Sequence, residues 1–308
     1  MDDYRFALQL TSAASGAEWV AAGQAAEADG WDVVSIPDHL NEQFAPFVAL
    51  GALSCVTERV RLGTFVVAAP WRHVGMLAKE VATLDVLSDG RVELGLGGGW
   101  HAVEFAALGQ AFERASTRIA VVAETVAALR ALWRGDTVDL PGPYFSGTGL
   151  QCLPLPVQAG GPPIVLGGGG PRMLALAGQV ADVVSLIPSN AGRTVWWSLP
   201  DGIDRAAVAQ QVAWVKEAAA GRATQPVLNI RILAVTPGRD PLGAARSLAG
   251  ERGAGTADAL VDSPYLLLGR PQDMAEQMAR NREELGVAYY TVSAREGAEV
   301  MPAIELVR

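Results

Sequence analysis

The stretch 91–109, RVELGLGGGWHAVEFAALG, decides the fold class of this chain. Its first part, residues 91–95, predicts a buried strand, and the glycines that follow predict a tight turn leading into a helix start. Polar side chains directly after a strand lie at the mouth of an α/β sheet or barrel, where such folds bind ligands. The candidate ligand contacts after this strand are Gly97, Gly98, Gly99, Trp100, His101 and Glu104.

A second stretch repeats this design. Residues 164–166 predict a short apolar strand, and Pro171 predicts the start of a helix. The residues between them are all glycine: Gly167, Gly168, Gly169 and Gly170. Glycine lets a backbone approach a flat or phosphorylated ligand closely, because no Cβ intervenes. A plain tight turn would explain either run alone, but two such runs in one chain favour a large cofactor.

Neither run is a familiar nucleotide-binding motif. The bulky Trp100 stands where the dinucleotide fingerprint requires a small residue. No GxxxxGK[ST] motif occurs in the sequence, so a P-loop is excluded.

The predicted elements alternate between strand and helix along the whole chain. The predicted strands cover residues 6–10, 32–36, 60–67, 92–96, 164–166, 182–186, 227–235 and 289–292. The predicted helices cover residues 19–29, 47–56, 76–87, 116–133, 173–178, 205–220 and 272–285. Repeated βα units predict a parallel sheet, and eight strands favour a closed (β/α)8 barrel, a TIM barrel, over an open doubly wound sheet.

We expect a single domain, 1–308, with irregular insertions near 135–161, 188–203 and 237–263. The first insertion is expected to hold a short hairpin, and the last to hold short helices.

Composition limits the classes of partner. The net charge of −9 is opposite in sign to what binding a phosphate backbone needs, so nucleic acid is excluded as the main partner. Two cysteines, of which Cys55 is expected in the core, indicate no disulfide framework and suit the cytoplasm. The N-terminus resembles no signal peptide, and no apolar run reaches the roughly 18 residues of a membrane span. The three histidines lack partners at metal-ligand spacing, so no metal site is expected.

Several motifs, in one order, resemble those of the luciferase-like flavin and deazaflavin oxidoreductases, and most closely those of the coenzyme F420-dependent branch. The matching segments are 36–40 (IPDHL), 61–64 (RLGT), 84–91 (LDVLSDGR), 97–104 (GGGWHAVE), 163–171 (PIVLGGGGP), 269–271 (GRP) and 282–287 (REELGV). They span nearly the full length of the chain, and several motifs in order are far more specific than one.

The resemblance implies a barrel that binds its cofactor in the C-terminal mouth and transfers a hydride to or from the cofactor ring. It places Asp38 and His39 beside the ring and the substrate. It implies a non-proline cis peptide near Phe65 and Val66, just after Thr64, that supports the ring. It also implies that the glycine run 167–170, with Arg172 alongside, holds the cofactor phosphate.

The chain departs from the family at one catalytic position. Some relatives carry a glutamate as proton donor where Trp100 stands here, so only His101 or Glu104 could take that role in this turn. Histidine suits proton transfer near neutral pH, which favours His39 as the acid or base. A turn with a helix N-cap is the structural alternative for Asp38 and His39, and a surface position is the alternative for His101.

The sequence thus predicts an F420-dependent oxidoreductase that transfers a hydride between the deazaflavin and a small organic substrate with an activated C=C bond, a C=N bond or an alcohol. An FMN-dependent monooxygenase and a non-catalytic flavin-binding protein are the alternatives. The predicted catalytic residues are His39, Asp38 and His101, and the predicted substrate contacts are Trp100, Glu104 and Trp196. A homodimer is expected. Trp196 could equally belong to a packed insertion.

Overall fold

The computed structural model describes residues 4–188, 199, 202–252 and 256–308. The chain forms two compact units: one is Gln9–Leu166, and the other is Gly167–Arg308 with the N-terminal residues up to Leu8.

The described strands are β1 (Arg5–Gln9), β2 (Val33–Ile36), β3 (Arg61–Thr64), β4 (Val67–Ala68), β5 (Val92–Gly97), β6 (Val138–Pro141), β7 (Ser146–Leu150), β8 (Ile164–Gly168), β9 (Val183–Leu186), β10 (Val227–Arg231), β11 (Ala234–Pro237), β12 (Leu266–Gly269) and β13 (Val287–Ser293). The described α-helices are α1 (Gly16–Ala28), α2 (Pro46–Ser54), α3 (Val74–Leu87), α4 (Ala102–Ala107), α5 (Ala115–Trp133), α6 (Pro171–Val180), α7 (Arg205–Ala219), α8 (Pro241–Arg252), α9 (Ala257–Val261), α10 (Pro271–Leu285) and α11 (Gly297–Val307).

In the unit Gln9–Leu166, the barrel strands run parallel. β2 pairs with β3, β3 with β5, and β5 with the start of β8. Parallel neighbours need a crossover connection, and α2, α3 and α5 supply these crossovers along the chain. The residues of β2, β3 and β5 are almost all buried, as those of parallel strands covered by helices usually are.

In the second unit, β9, β10 and β13 pair in parallel. A separate parallel pair, β11 with β12, branches off after β10. Between its two strands the chain forms α8 and α9, in agreement with the short helices expected within 237–263.

The strands form the closed eight-stranded parallel barrel of the (β/α)8 fold, as the alternation of predicted elements indicated. The barrel strands are β1, β2, β3, β5, β8, β9, β10 and β13. The open doubly wound sheet is therefore wrong. The hairpin expected in the first insertion is present, since β6 and β7 pair antiparallel.

Two predicted strands are each broken in two. The strand predicted over 60–67 stops at Thr64 and resumes as β4, and the Phe65-Val66 peptide between them is cis, as the resemblance implied. The strand predicted over 227–235 ends at Arg231. There the backbone leaves β13 after Ile232 and turns toward β12, so that the Leu233 amide donates to the Tyr265 carbonyl.

Other sequence expectations need correction. Cys55, expected in the core, is exposed at the end of α2. The helix α11 follows the last strand and was not predicted. Trp196 lies outside the described residues. In the part of the chain that the structure covers, no helix is both long and apolar enough to cross a membrane.

A polar network joins the starts of the strands in the unit Gln9–Leu166. We call it the strand-start network and define it by five residues: Arg61, Asp85, Arg91, Glu93 and Gln158. Arg61 Nε donates to Glu93 at 2.9 Å, and one Nη donates to Gln158 Oε1 at 3.0 Å. Gln158 in turn donates through its side chain and its backbone amide to the buried carboxylate of Asp85, at 2.7 and 3.0 Å. The network ties the insertion to the barrel.

Arg91 lies at the same strand starts as the other four residues, and its donors bond to backbone carbonyls and one hydroxyl. Its guanidinium donates to the backbone carbonyls of Ser54, Thr57, Val60 and Ser88 and to the Thr57 hydroxyl, at 2.8–3.0 Å. A guanidinium has five N–H groups, so this site uses every one. The arginine therefore closes the ends of α2 and α3 onto the starts of β3 and β5.

Candidate active site

The end of β3 is fixed by hydrogen bonds to the neighbouring strand. The Thr64 hydroxyl donates to the Gly95 carbonyl and accepts from the Gly95 amide, both at 2.9 Å. A Cβ on Gly95 would overlap the Thr64 carbonyl, so only glycine allows this approach. The Gln9 side chain donates to the Phe65 carbonyl at 3.2 Å. The bulge that carries Phe65 and Val66 is thus held from both sides, and the Thr64 hydroxyl is committed to backbone.

Asp38, which follows β2, is engaged by an arginine. Its two carboxylate oxygens accept from the two Nη groups of Arg72 at 2.5 and 2.9 Å, a bidentate ion pair. One oxygen also accepts from the Ala68 amide at 3.2 Å. This arrangement links the loop after β2 to the segment after β4. Asp38 therefore fixes the backbone next to His39, and both its oxygens are occupied in doing so.

His39 contacts a different carboxylate, that of Glu104 on α4. Its Nδ1 lies 3.0 and 3.1 Å from the two oxygens, and the Leu40 amide donates to Glu104 Oε1 at 2.8 Å. Burial acts to raise the pKa of Glu104, but the hydrogen bonds from His39 and Leu40 and the nearby imidazoles outweigh it, so the pKa lies below its ordinary value. Glu104 is therefore ionised at neutral pH.

An ionised Glu104 sets the tautomer of His39. A carboxylate only accepts hydrogen bonds, so the proton on the His39 ring lies on Nδ1. Nε2, on the opposite side of the ring, is then the nitrogen that can exchange a proton with a reacting group. The pair has the geometry of an oriented acid or base.

Trp100 and His101 complete this group of residues. They lie at the start of α4, which begins at Ala102 with His101 as its N-cap, as the sequence predicted. His101 Nδ1 lies 3.2 Å from Glu104 Oε2. The Trp100 ring contacts both imidazoles, with centroids 5.8 Å from His39 and 5.0 Å from His101. We call Asp38, His39, Trp100, His101 and Glu104 the strand-end cluster.

The glycine turn that precedes this cluster is shorter than predicted. Gly97 belongs to β5, because its backbone pairs with Ala68 of β4. Only Gly99 has a left-handed backbone, with a φ of 70°, and the Phe105 ring fills the space that its Cβ would need. A Cβ on Gly98 would lie 3.2 Å from Arg118 Cβ. The turn is thus fitted closely to α4 and α5.

The second glycine run lies in the other unit, between β8 and α6. Gly167 and Gly168 belong to β8 rather than to a turn, and the Gly168 carbonyl accepts from the Ile187 amide at 3.0 Å. The Gly169 carbonyl accepts from Gln211 at 3.1 Å. Gly170 is the N-cap of α6, with nothing within 4 Å of the position of a Cβ. The exposed Arg172 follows in the first turn of the helix.

Sequence reasoning missed three contributors to these sites: Gln9, Arg72 and the pairing of Glu104 with His39. The last two contacts join residues 34 and 65 positions apart, and no local pattern marks them. Within the described residues, no group of three or more His, Cys, Asp or Glu side chains is arranged to hold a metal ion.

Solved structures share this fold over their whole length. The coenzyme F420-dependent tetrahydromethanopterin reductase of Methanopyrus kandleri has a TM-score of 0.77 and 18% identity, with 99% of this chain and 97% of that chain covered. An F420-dependent secondary alcohol dehydrogenase in complex with an F420-acetone adduct also has a TM-score of 0.77 and 18% identity, with full coverage of both. The monooxygenase RslO1 of Streptomyces bottropensis has a TM-score of 0.76 and 22% identity, covering 98% and 97%.

Curated relatives are more similar in sequence over a shorter span. The F420-dependent glucose-6-phosphate dehydrogenase of Microbacterium testaceum is 36% identical over 168 residues, which is 52% of this chain and 49% of the relative. The 5,10-methylenetetrahydromethanopterin reductase of Methanolobus tindarius is 34% identical over 165 residues, 54% and 48% of the two chains. The chain thus spans about half the length of the curated relatives it matches.

The model of the luciferase-like monooxygenase family matches residues 3–289, which include every described residue of both candidate sites. This match over most of the sequence shows that the chain belongs to the luciferase-like monooxygenase family.

Proposed function

We propose that this chain is a coenzyme F420-dependent oxidoreductase, in which His39 exchanges a proton with a small organic substrate while a hydride moves between that substrate and the coenzyme. The curated relatives described above are named as an F420-dependent glucose-6-phosphate dehydrogenase and a 5,10-methylenetetrahydromethanopterin reductase. The observation that supports His39 as the acid or base is its contact with Glu104. The two side chains are only 15% and 8% exposed, and they follow the ends of β2 and β5.

The residues present fit such a coenzyme. The start of α6 offers backbone amides at a helix N-terminus, the open space at Gly170 and the cation of Arg172, which together suit a phosphate. At β5, Gly95 and Gly97 let the Thr64 carbonyl and the Val66 side chain approach closely, which fixes the Phe65-Val66 bulge that the family resemblance places against the ring. When bound, the coenzyme would supply hydride transfer at its ring carbon.

The chain's own residues then have separate tasks. His39 holds a proton on Nδ1 against Glu104 and takes or gives the substrate proton at Nε2. Asp38, predicted as catalytic and cofactor-binding, is better assigned to positioning, because Arg72 and Ala68 occupy its oxygens. Trp100 covers one side of the imidazole and is 39% exposed, which leaves part of its ring for a substrate contact. Glu104 contacts His39 and is not proposed as a substrate contact.

The substrate that this assignment favours is an alcohol or an unsaturated group such as C=C or C=N, because such groups pair a hydride with one proton.

We also propose that the chain is a homodimer. Apolar side chains on α2 and α3 support this, since Val48, Met76 and Leu87 are all more than half exposed. Light scattering measures the oligomeric state directly.

A cofactor titration tests the proposal. The purified protein is titrated with oxidised F420, reduced F420 and FMN, and binding is followed by fluorescence and calorimetry. We expect binding of F420 and oxidation or reduction of it by an alcohol, enone or imine under argon. Binding of FMN instead, with oxygen consumption, would support the monooxygenase hypothesis, for which RslO1 is a structural precedent. Binding without turnover over a broad substrate panel would support a non-catalytic flavin-binding protein.

A further inference from the structure

One carboxylate oxygen lies between two imidazoles in the strand-end cluster. Glu104 Oε2 is 3.0 Å from His39 Nδ1 and 3.2 Å from His101 Nδ1. The Leu40 amide holds the other oxygen at 2.8 Å, so the carboxylate cannot turn away from either ring without losing that bond. This geometry places one proton acceptor within hydrogen-bond distance of both histidines.

The two histidines differ in their access to solvent. The His39 side chain is 15% exposed and that of His101 is 35% exposed. The Trp100 ring contacts both imidazoles. A proton that leaves His39 on the Glu104 side therefore has His101 as its next acceptor toward water.

His101 Nδ1 is a buried polar atom that lacks a hydrogen bond of good geometry, although it lies 3.2 Å from Glu104. A buried unsatisfied polar atom needs an explanation, because leaving it so costs free energy. With its ring proton on Nε2, His101 Nδ1 has no hydrogen to donate to the carboxylate and presents a lone pair that can accept a proton from Glu104.

We propose that His101 exchanges with solvent the proton that His39 takes from the substrate or gives to it, and that Glu104 carries the proton between them. This proposal rests on the proposed function for the role of His39. During substrate oxidation, Nε2 of His39 gains the substrate proton and Nδ1 releases one to Glu104 Oε2. Glu104 passes it to His101 Nδ1, and the proton on His101 Nε2 leaves to water. One proton thus moves from substrate to solvent, and reduction reverses every step.

The charged groups that face this path are few. Glu104 lies on α4, and His101 directly precedes that helix. His39 and the Leu40 amide come from the loop after β2. The Asp38–Arg72 pair belongs to the neighbouring segment and is neutral as a unit. Glu104 is therefore the group through which a change at one histidine reaches the other.

Histidine NMR tests this coupling without any cofactor. The chain has three histidines, so protein labelled with ¹⁵N in its histidines gives three sets of ring signals, which the variants His39→Gln, His101→Gln and His73→Asn assign. His73 is the matched control: it is the N-cap of α3, and asparagine can keep that hydrogen bond to the Gly75 amide.

We expect His101→Gln to change the tautomer signature of His39, because the two rings share one carboxylate. Glu104→Gln should change the tautomer signatures of both histidines, because the carboxylate within hydrogen-bond distance of each ring is lost. His73→Asn should leave both signatures unchanged. Unchanged His39 signals in His101→Gln and in Glu104→Gln would overturn the relay.

Kinetics give a second readout once a substrate is known. We expect His101→Gln to lower the steady-state rate roughly 10-fold, less than loss of a direct acid or base, and small imidazole buffers to restore it. F420 affinity should not change. Absence of F420 binding in the wild-type protein would refute the proposed function but not the histidine coupling. A His101→Gln variant with the wild-type rate and no buffer effect would refute the relay alone.

Discussion

The two ends of the barrel strands in the unit Gln9–Leu166 are built in opposite ways. In the strand-start network, the donors of Arg91 are all used and the carboxylate of Asp85 accepts two hydrogen bonds. In and around the strand-end cluster, His101 Nδ1 and Trp71 Nε1 are buried without a hydrogen-bond partner in the described structure. A satisfied network stabilises a fold, whereas groups left partly unsatisfied are what a site offers to a ligand.

This contrast agrees with the general rule for (β/α)8 barrels, in which the C-terminal ends of the strands carry chemistry and the opposite ends carry stability. It also separates two kinds of carboxylate. Asp85 and Glu93 bind side chains that hold the barrel together, while Glu104 orients an imidazole. Substitutions at the two ends should therefore affect different measurements.

The largest effect is expected at His39. We predict that His39→Ala lowers the rate of the chemical step by about 100- to 10,000-fold, the usual range for a positioned acid or base, with a change in the free energy of unfolding below about 1 kcal/mol. Single-turnover kinetics and urea unfolding measure the two quantities. A variant that turns over like the wild type would make His39 structural and His101 the next candidate.

At the other end, Arg91→Ala should act on stability alone. It removes five hydrogen bonds and leaves carbonyls of four residues without their donor, so we predict a loss of about 3 kcal/mol in the free energy of unfolding. Arg91→Lys should restore less than half of the lost free energy of unfolding, because an ammonium group cannot reproduce the planar arrangement of the five guanidinium donors. The exposed Arg114→Ala is the control. A fall in kcat of the folded variant, with little loss of stability, would contradict the contrast between the two ends.

A test at the glycine run extends the comparison to the second unit. Gly168 is unsuitable for substitution, because a Cβ there would lie 3.0 Å from Met173 Cβ and closer still to Cγ. Gly170 has open space and an extended backbone, with a φ of −93°. We predict that Gly170→Asp weakens F420 binding about 10-fold while it keeps or raises helix stability, since aspartate is a good N-cap but repels a phosphate.

Gly170→Asn is the matched control for that variant. It has nearly the same size and also caps a helix, but it carries no charge. It should bind F420 with close to the wild-type affinity. Equal affinities for the two variants would remove the phosphate assignment from this loop.

The smallest predicted effect is at Glu27, beside the strand-start network. Its carboxylate accepts from the backbone amides of Glu58, Arg59 and Val60, just before β3. Burial acts to raise the pKa of Glu27, but these amides lower it below its ordinary value. A group with a lowered pKa adds stability above the pKa of the unfolded chain and loses it as the pH falls through the folded value.

We therefore predict that Glu27→Gln costs about 1 kcal/mol at pH 7 and much less at pH 3, with activity unchanged. Urea unfolding at the two pH values measures this. A cost that is equal at both pH values would mean that the carboxylate charge has no role there.

Local patterns predicted the fold well and the site only in part. The alternation of strands and helices gave the barrel, because each element is determined by neighbours in sequence. The breaks after Thr64 and Arg231 were not visible in composition, since both follow from backbone bonds to distant strands. The cis peptide at Phe65-Val66 came from the family resemblance and not from any propensity.

The pairing of side chains was the weakest part of the prediction. Asp38 and His39 are adjacent in sequence, which suggested a joint role, but successive side chains of an extended segment point to opposite sides. Asp38 contacts Arg72 and His39 contacts Glu104. Only the three-dimensional fold brings α4 over the loop after β2.

We propose that the strand-end cluster, with His39 as acid or base, serves hydride transfer with F420. Anaerobic stopped-flow absorbance measures this reaction with F420, a panel of alcohols, enones and imines, and three proteins: wild type, His39→Ala and Arg91→Lys. We expect F420 turnover without oxygen in the wild type and in folded Arg91→Lys, and a rate at least about 100-fold lower in His39→Ala. A strict need for oxygen, or equal rates in wild type and His39→Ala, would refute the role of this cluster in hydride transfer.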